Sequence, residues 1–145
     1  FCQDNHSKSE KGVLRGIHYQ LSPYAQGKLV RCTKGKIFDI AIDLRKNSAT
    51  YKEWIGVELN DENKFLLWIP EGFGHGFLTL SKDAEVQYKV TRNWHKSFEK
   101  SLLWSDPDIA INWPLSQLDK KMPLTSPKDS QAITIKEAEA LDFVF

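Results

Sequence analysis

Along residues 38–44, Phe38, Ile40, Ile42 and Leu44 alternate with Asp39, Ala41 and Asp43. A period of two marks a β-strand whose two faces meet different surroundings. The segments 28–32, 54–59, 65–69, 77–80 and 84–91 read as further short strands. Thr33-Lys34-Gly35-Lys36 breaks the chain between 28–32 and 38–44, and Asn60-Asp61-Glu62-Asn63 forms a polar turn before 65–69. Pro70-Glu71-Gly72-Phe73-Gly74-His75-Gly76 predicts a sharp, glycine-rich turn. Many short strands with closely spaced turns predict an all-β barrel or jelly-roll sandwich. The tail changes character: Thr134-Ile135-Lys136-Glu137 has the form of a capping box and 138–141 are good helix formers, so one short C-terminal helix is expected. No repeat, low-complexity tract or linker interrupts the 145 residues, which suit a single domain, 1–145.

Composition narrows the function classes. With 41% apolar and 27% charged residues the chain falls in the globular range rather than the disordered one. Its 20 Lys+Arg against 19 Asp+Glu leave no global field to draw in nucleic acid or an anionic membrane. An anionic ligand has to be held by a local cluster of cations. Cys2 and Cys32 are too few for a disulfide framework and form no Cys-x-x-Cys pair, so a reduced, cytoplasmic protein is expected. No apolar run approaches the length of a bilayer span. The chain opens at Phe1 directly inside a motif-like stretch, and an N-terminal segment is expected to precede it.

Several segments carry residues with chemistry. Arg15-Gly16-Ile17-His18-Tyr19-Gln20 puts an arginine and a histidine in a strand-like stretch. The histidine is either satisfied by hydrogen bonds in a partly polar interior or part of a site. Regular pleating puts Arg15 and His18 on opposite faces, so one site can use both only at a bend or bulge, for which Gly12 and Gly16 are suited. Lys28 shares a face with Val30 and Cys32, either as an edge-protecting charge or as an anion ligand inside the barrel. Tyr88 shares a face with Ala84, Val86 and Val90, so its ring points inward, as packing or as an acid aimed into a cavity. His75 ends a Pro-x-Gly-x-x-His pattern similar to the second cupin motif, in which such a histidine often binds metal. The four histidines, His6, His18, His75 and His95, include no His-x-His, so His75 reads as metal-free, contacting a ligand or stabilising the turn. Trp94 is either packing or a platform for a planar ring, and Lys128-Asp129, in a Pro- and Ser-rich loop, reads by itself as solvated surface.

Taken together, Gln3-Asp4-Asn5-His6-Ser7, Gly12-Val13-Leu14-Arg15-Gly16-Ile17-His18-Tyr19-Gln20, Gln26-Gly27-Lys28-Leu29-Val30-Arg31, Phe38-Asp39-Ile40-Ala41-Ile42-Asp43-Leu44-Arg45, Leu67-Trp68-Ile69-Pro70-Glu71-Gly72-Phe73 and Ile111-Asn112-Trp113-Pro114 resemble the dTDP-4-dehydrorhamnose 3,5-epimerase family of the cupin superfamily. The resemblance runs from Phe1 to about Asp129. It implies a cupin-type jelly roll, a homodimer, and a dTDP-4-keto-6-deoxy sugar as substrate. By position it implies His18 as catalytic base, Asp129 as its orienting carboxylate and Tyr88 as proton donor. Gln3, Asp4, Asn5, Arg15, Lys28 and His75 fall on substrate-binding positions, Trp94 on that of an aromatic stacking on thymine, and Glu99 and Lys128 on further contacts. The chain departs from the family pattern in a longer spacing between Trp113-Pro114 and Lys128-Asp129, and in Asn93 where tyrosine is common.

The implied chemistry inverts C3 and C5, which flank the C4 ketone and are acidified by it. A base and an acid must face each other across the sugar, with a cation near the carbonyl oxygen. An imidazole titrates near neutrality, which suits His18 to the base; Lys28 is the candidate for the enolate oxygen and Arg15 for the diphosphate. Protons alone move, so neither cofactor nor metal is expected. The competing readings are an epimerase acting at C3 only, a ketoisomerase on a related sugar, a non-catalytic nucleotide-sugar-binding jelly roll, and a metal-dependent cupin oxygenase.

Overall fold

Nine strands carry the alternation into two sheets in the structure, a computed structural model describing residues 1–145. They are β1 (Gln3–Glu10), β2 (Leu14–Gln20), β3 (Lys28–Lys34), β4 (Lys36–Asp43), β5 (Trp54–Asn60), β6 (Leu66–Ile69), β7 (Phe73–Thr79), β8 (Asp83–Val90) and β9 (Glu99–Ser101). A four-stranded sheet has the order β1-β8-β3-β6 and a five-stranded sheet the order β5-β4-β7-β2-β9. All of these strand pairs are antiparallel. Sequence neighbours repeatedly fall in different sheets, as in a jelly roll, so the two sheets face each other as the all-β expectation requires.

The interior has two apolar clusters. One lies between the sheets and contains Val30, Cys32, Ile37, Ala41, Leu59, Ile69, Phe77, Ala84 and Val86. The other lies on the far side of the five-stranded sheet, where Leu14, Ile17, Ile40, Ile42 and Leu78 meet Leu102, Ile109, Trp113, Ile135 and Val144 of the tail. The alternation in β4 therefore has an inverted meaning. Its apolar row, Ile40 and Ile42, faces the tail, while Asp39 and Ala41 face the space between the sheets. Burying each such isoleucine contributes roughly 1.5–3 kcal/mol, so the tail is held by a substantial apolar face.

The tail forms α1 (Pro127–Ser130) and α2 (Ile135–Ala140), besides a single 3-10 turn at Leu115–Gln117. The capping box of α2 is complete: Thr134 Oγ1 accepts from the Glu137 N–H and the Glu137 carboxylate accepts from the Thr134 N–H. Two sequence expectations need correction. The segment 70–76 is not a turn throughout, since β7 begins at Phe73, where its backbone is drawn into pairing with β4 and β2. Lys128-Asp129 is not loop, because Ser126 caps a helical turn that opens with Pro127.

The strand that matters most for the cavity is β2. Arg15 lies opposite Phe77 and His18 opposite His75, so three steps along β2 match two along β7. This extra residue is a β-bulge, and it brings Arg15 and His18 to the same face. Gly16 carries it with φ +117°, and a Cβ there would lie 2.6 Å from the His75 carbonyl oxygen and 2.7 Å from the Gly76 Cα. Only glycine fits both the dihedral and the approach. Gly16→Ala is expected to cost about 2–4 kcal/mol of stability, measured by denaturant unfolding; a change of about 0.5 kcal/mol, typical of a surface substitution, would contradict this account.

Candidate active site

Between the sheets, at the end not filled by the inner apolar cluster, lies a cavity of about 440 Å³. The five-stranded sheet lines it with Arg15, His18, His75, Phe77 and Glu99, and the four-stranded sheet with Gln3, Asn5, Ser7, Lys28 and Tyr88. Gln26 and Trp94 complete it from the connecting segments. Strand registers explain the convergence. Tyr88 sits between Asn5 on β1 and Val30 on β3, while His18 sits between His75 on β7 and Ser101 on β9. Imidazole and phenol thus enter from opposite walls. The rings of Tyr88 and His75 are 6.1 Å apart, edge to face, which sets the scale of the gap.

His18 is held from behind. Its Nε2–H donates to Asp129 Oδ1 at 2.6 Å, which leaves Nδ1 free to exchange a proton. Asp129 is itself buried, and its Oδ2 accepts the Gly16 N–H at 3.1 Å. Burial raises the Asp129 carboxyl, but the hydrogen bond and charge of His18, the Gly16 N–H and Lys128 outweigh this and hold it below the usual carboxylate range. A second pair lies beside the first: His75 Nε2 is 2.7 Å from Asp39 Oδ1, and both residues are buried. Burial pushes the His75 imidazolium down, prevailing over the pull of Asp39.

Lys28 crosses from the opposite sheet to donate to the His18 carbonyl oxygen at 3.3 Å. Burial brings its ammonium down to about 8, against the opposing pull of Glu99 and Asp39. Burial also raises the Tyr88 phenol, with Glu99 adding to the effect and Arg15 opposing it, so Tyr88 keeps its proton at neutral pH. Arg15 Nε donates to Ser9 Oγ at 3.0 Å, joining the two sheets. Glu99 Oε2 meets Lys128 Nζ at 2.7 Å. Burial works to raise Glu99, but Lys128, the Trp94 side chain and His18 keep it ionised below the usual range. Gln3 accepts the Trp94 backbone N–H through Oε1 at 3.1 Å and donates to Asn5 Oδ1 at 3.0 Å, so these three residues are linked.

Of the residues singled out in the sequence, Gln3, Asn5, Arg15, His18, Lys28, His75, Tyr88, Trp94 and Glu99 line the cavity, and Asp129 stands behind His18. Asp4 does not come to it. Alternation turns Asp4 outward, and its carboxylate pairs with Lys89 at 2.9 Å on the outer surface. Lys128 also lies outside the lining, its ammonium engaged by Glu99. Asp39 escaped the sequence reading, although an aspartate inside an isoleucine-rich strand was a visible signal. Ser7, Gln26 and Phe77 carried no such signal.

A jelly roll whose facing sheets bring a carboxylate-held histidine, a tyrosine, a lysine and an arginine to one cavity is a cupin-like protein equipped for acid–base work on an anionic ligand. A family model described as dTDP-4-dehydrorhamnose 3,5-epimerase matches residues 1–137. The enzyme of that name from Shigella flexneri is 58% identical over 129 residues, covering 89% of this chain and 68% of the relative. That from Salmonella typhimurium strain LT2 is 55% identical over 138 residues, covering 95% and 73%. The crystal structure of an epimerase from Legionella pneumophila Philadelphia 1, in complex with dTDP-4-keto-L-rhamnose, has a TM-score of 0.92 and 46% identity, covering 99% of this chain and 73% of that one. The chain belongs to the dTDP-4-dehydrorhamnose 3,5-epimerase family.

The buried ammonium has a stability consequence. Below about 8 both folded and unfolded chains carry the Lys28 charge, and the folded state bears its full desolvation cost. As pH rises from there toward the free-lysine value of about 10.4, the folded state releases the proton first and the cost fades. Lys28→Met is expected to stabilise the protein by about 1 kcal/mol at pH 7, with the gain shrinking as pH rises through that window, in urea unfolding at several pH values. A variant less stable than the wild type at neutral pH would refute this.

Proposed function

We propose that this chain inverts C3 and C5 of dTDP-4-dehydro-6-deoxy-D-glucose to give dTDP-4-dehydro-L-rhamnose, in dTDP-L-rhamnose biosynthesis. The observation that carries the reading is a carboxylate-held imidazole on one sheet and a protonated phenol on the facing sheet, both lining one cavity. Family membership supports it, as does the likeness to an epimerase solved with a 4-keto-rhamnose nucleotide.

In this mechanism His18 Nδ1 removes the proton from C3 or C5, and the electron pair passes to the C4 oxygen as an enolate. Asp129 stabilises the imidazolium and keeps the ring in one orientation. The Lys28 ammonium, buried and bonded to the His18 carbonyl oxygen, offsets the developing negative oxygen as a preorganised charge. Tyr88 then delivers a proton to the opposite face of the carbon, completing the inversion. Arg15 grips the diphosphate through its planar fork, with Gln3 and Asn5 beside it. Trp94, about half exposed at the cavity's edge, offers its ring to thymine. The buried His75–Asp39 pair borders the same space and fixes the floor on which the sugar rests.

With substrate in deuterated water, label is expected at both C3 and C5 by NMR. His18→Ala is expected to lower the exchange roughly 10²–10⁴-fold, and Tyr88→Phe to slow inversion more than proton removal. Label at C3 alone would replace this reading with a C3 epimerase, and unchanged exchange in His18→Ala would leave a nucleotide-sugar-binding protein.

A cytoplasmic setting goes with this reading, both cysteines being free; in the structure no helix is long and apolar enough to cross a membrane. A homodimer also belongs to it, supported by the exposed apolar side chains of Phe1, Leu66 and Trp68 beside the β6 edge. Sedimentation at micromolar concentration is expected to give twice the chain mass, falling to a monomer with Leu66→Glu; a monomeric wild type would count against it.

A further inference from the structure

Between the end of β8 at Val90 and the start of β9 at Glu99, the chain carries Trp94 along the edge of the cavity without forming a strand. Residues 92–94 make no backbone–backbone hydrogen bond. Glutamine side chains take up their polar groups instead. Gln26 Nε2 donates to the Arg92 carbonyl at 2.6 Å and Gln20 Nε2 to the Asn93 carbonyl at 3.3 Å, while the Trp94 N–H donates to Gln3 Oε1 at 3.1 Å. The next amide, the His95 N–H, donates to Gln20 Oε1 at 2.6 Å.

Gln20 differs from the other two glutamines. It is the last residue of β2 and shares a face with His18, two positions back. It is nevertheless buried and absent from the cavity lining, to which Gln3 and Gln26 belong. A ligand entering the cavity competes for Gln3 and Gln26 but not for Gln20. The Gln20 amide is fully used: its nitrogen donates to the carbonyls of Asn93 and of Tyr24, the latter at 2.7 Å, and its oxygen takes the His95 N–H. One side chain thus bonds the carbonyl before Trp94 and the N–H after it, and neither group has another partner. The bond to Tyr24 draws in a second loop, whose Tyr24 ring lies against the His95 ring with centroids 4.2 Å apart. Trp94 itself is about half exposed. Packing covers only part of its ring, so the ring takes its place from the backbone beneath it. A platform held in place before the ligand arrives spares the ligand the cost of ordering it.

We propose that Gln20 is a positioning residue for nucleobase binding: by clasping the backbone on both sides of Trp94, it holds the indole at the cavity edge where a thymine ring meets it. The inference rests on the reading of Trp94 as the stacking platform, and it gives Gln20 a task that needs no contact with substrate.

The test uses the full chain with Gln20→Met, which keeps the length and loses the amide, and Gln20→Asn, which keeps the amide and shortens its reach. In ligand-free protein labelled with fluorotryptophan, the Trp94 resonance, assigned by its loss in Trp94→Phe, is expected to shift or broaden in both variants. The resonances of the other four of the five tryptophans are expected to stay in place, which shows the fold intact. Gln20→Met is expected to bind dTDP about tenfold more weakly, as stacking on an aromatic side chain predicts, and inorganic pyrophosphate within about twofold of wild type. KM for the nucleotide sugar is expected to rise about tenfold with kcat changed less than about twofold. Added to Trp94→Ala, Gln20→Met is expected to cost no further dTDP affinity, because both act through one ring. A sharp, unshifted Trp94 resonance in either variant overturns the proposal. So does an equal loss of dTDP and pyrophosphate, a fall in kcat with KM retained, or losses that multiply in the Trp94→Ala background. If Trp94→Ala binds dTDP as tightly as wild type, the platform reading fails instead, and the fluorine resonance still decides whether Gln20 places the ring.

Discussion

In an unbroken strand, side chains three residues apart point to opposite sides of the sheet, and no cavity on one side can use both. Arg15 and His18 stand in that relation, yet both face the space between the sheets because β2 holds one residue more than β7 across the interval. Gly16 makes the irregularity possible by bringing two backbones closer than any side chain allows. The same residue also sends its N–H to Asp129. The bulge therefore aims two side chains and anchors the carboxylate behind one of them. The shared face of Arg15 and His18 on the five-stranded wall of the cavity follows from this local departure from regular pairing.

Much of this was legible in the chain. The period of two fixed the strands, and the faces shared by Lys28, Val30 and Cys32 and by Ala84, Val86, Tyr88 and Val90 are the faces the structure shows turned inward. The conflict between Arg15 and His18 was visible too, with glycine as the pointer to its resolution. What the sequence could not supply is which side of a strand is inside. In β4 the isoleucines face the tail, because the tail offers a larger apolar surface than a cavity built for a polar ligand. That is why Asp39, on the other row, was passed over. The outward turn of Asp4 and the pairing of Lys128 with Glu99 depend on strand neighbours far away in sequence, which no local pattern encodes.

The cavity end of the interior is polar at a cost. Lys28, His75, Asp39 and Asp129 are all buried, and taking charged groups out of water is costly even when they are paired. The inner apolar cluster at the other end of the same two sheets carries the compensating burial. The division is physical: one half of the intersheet space holds the sheets together, and the other keeps charges poorly hydrated, where their fields act over a longer range.

The carboxylate behind His18 comes from a part of the chain that follows all nine strands. The same segment adds Ile135, Ala138 and Val144 to the apolar face on the outer side of the five-stranded sheet. One stretch of chain therefore both completes that hydrophobic face and sets the anion at the back of the imidazole.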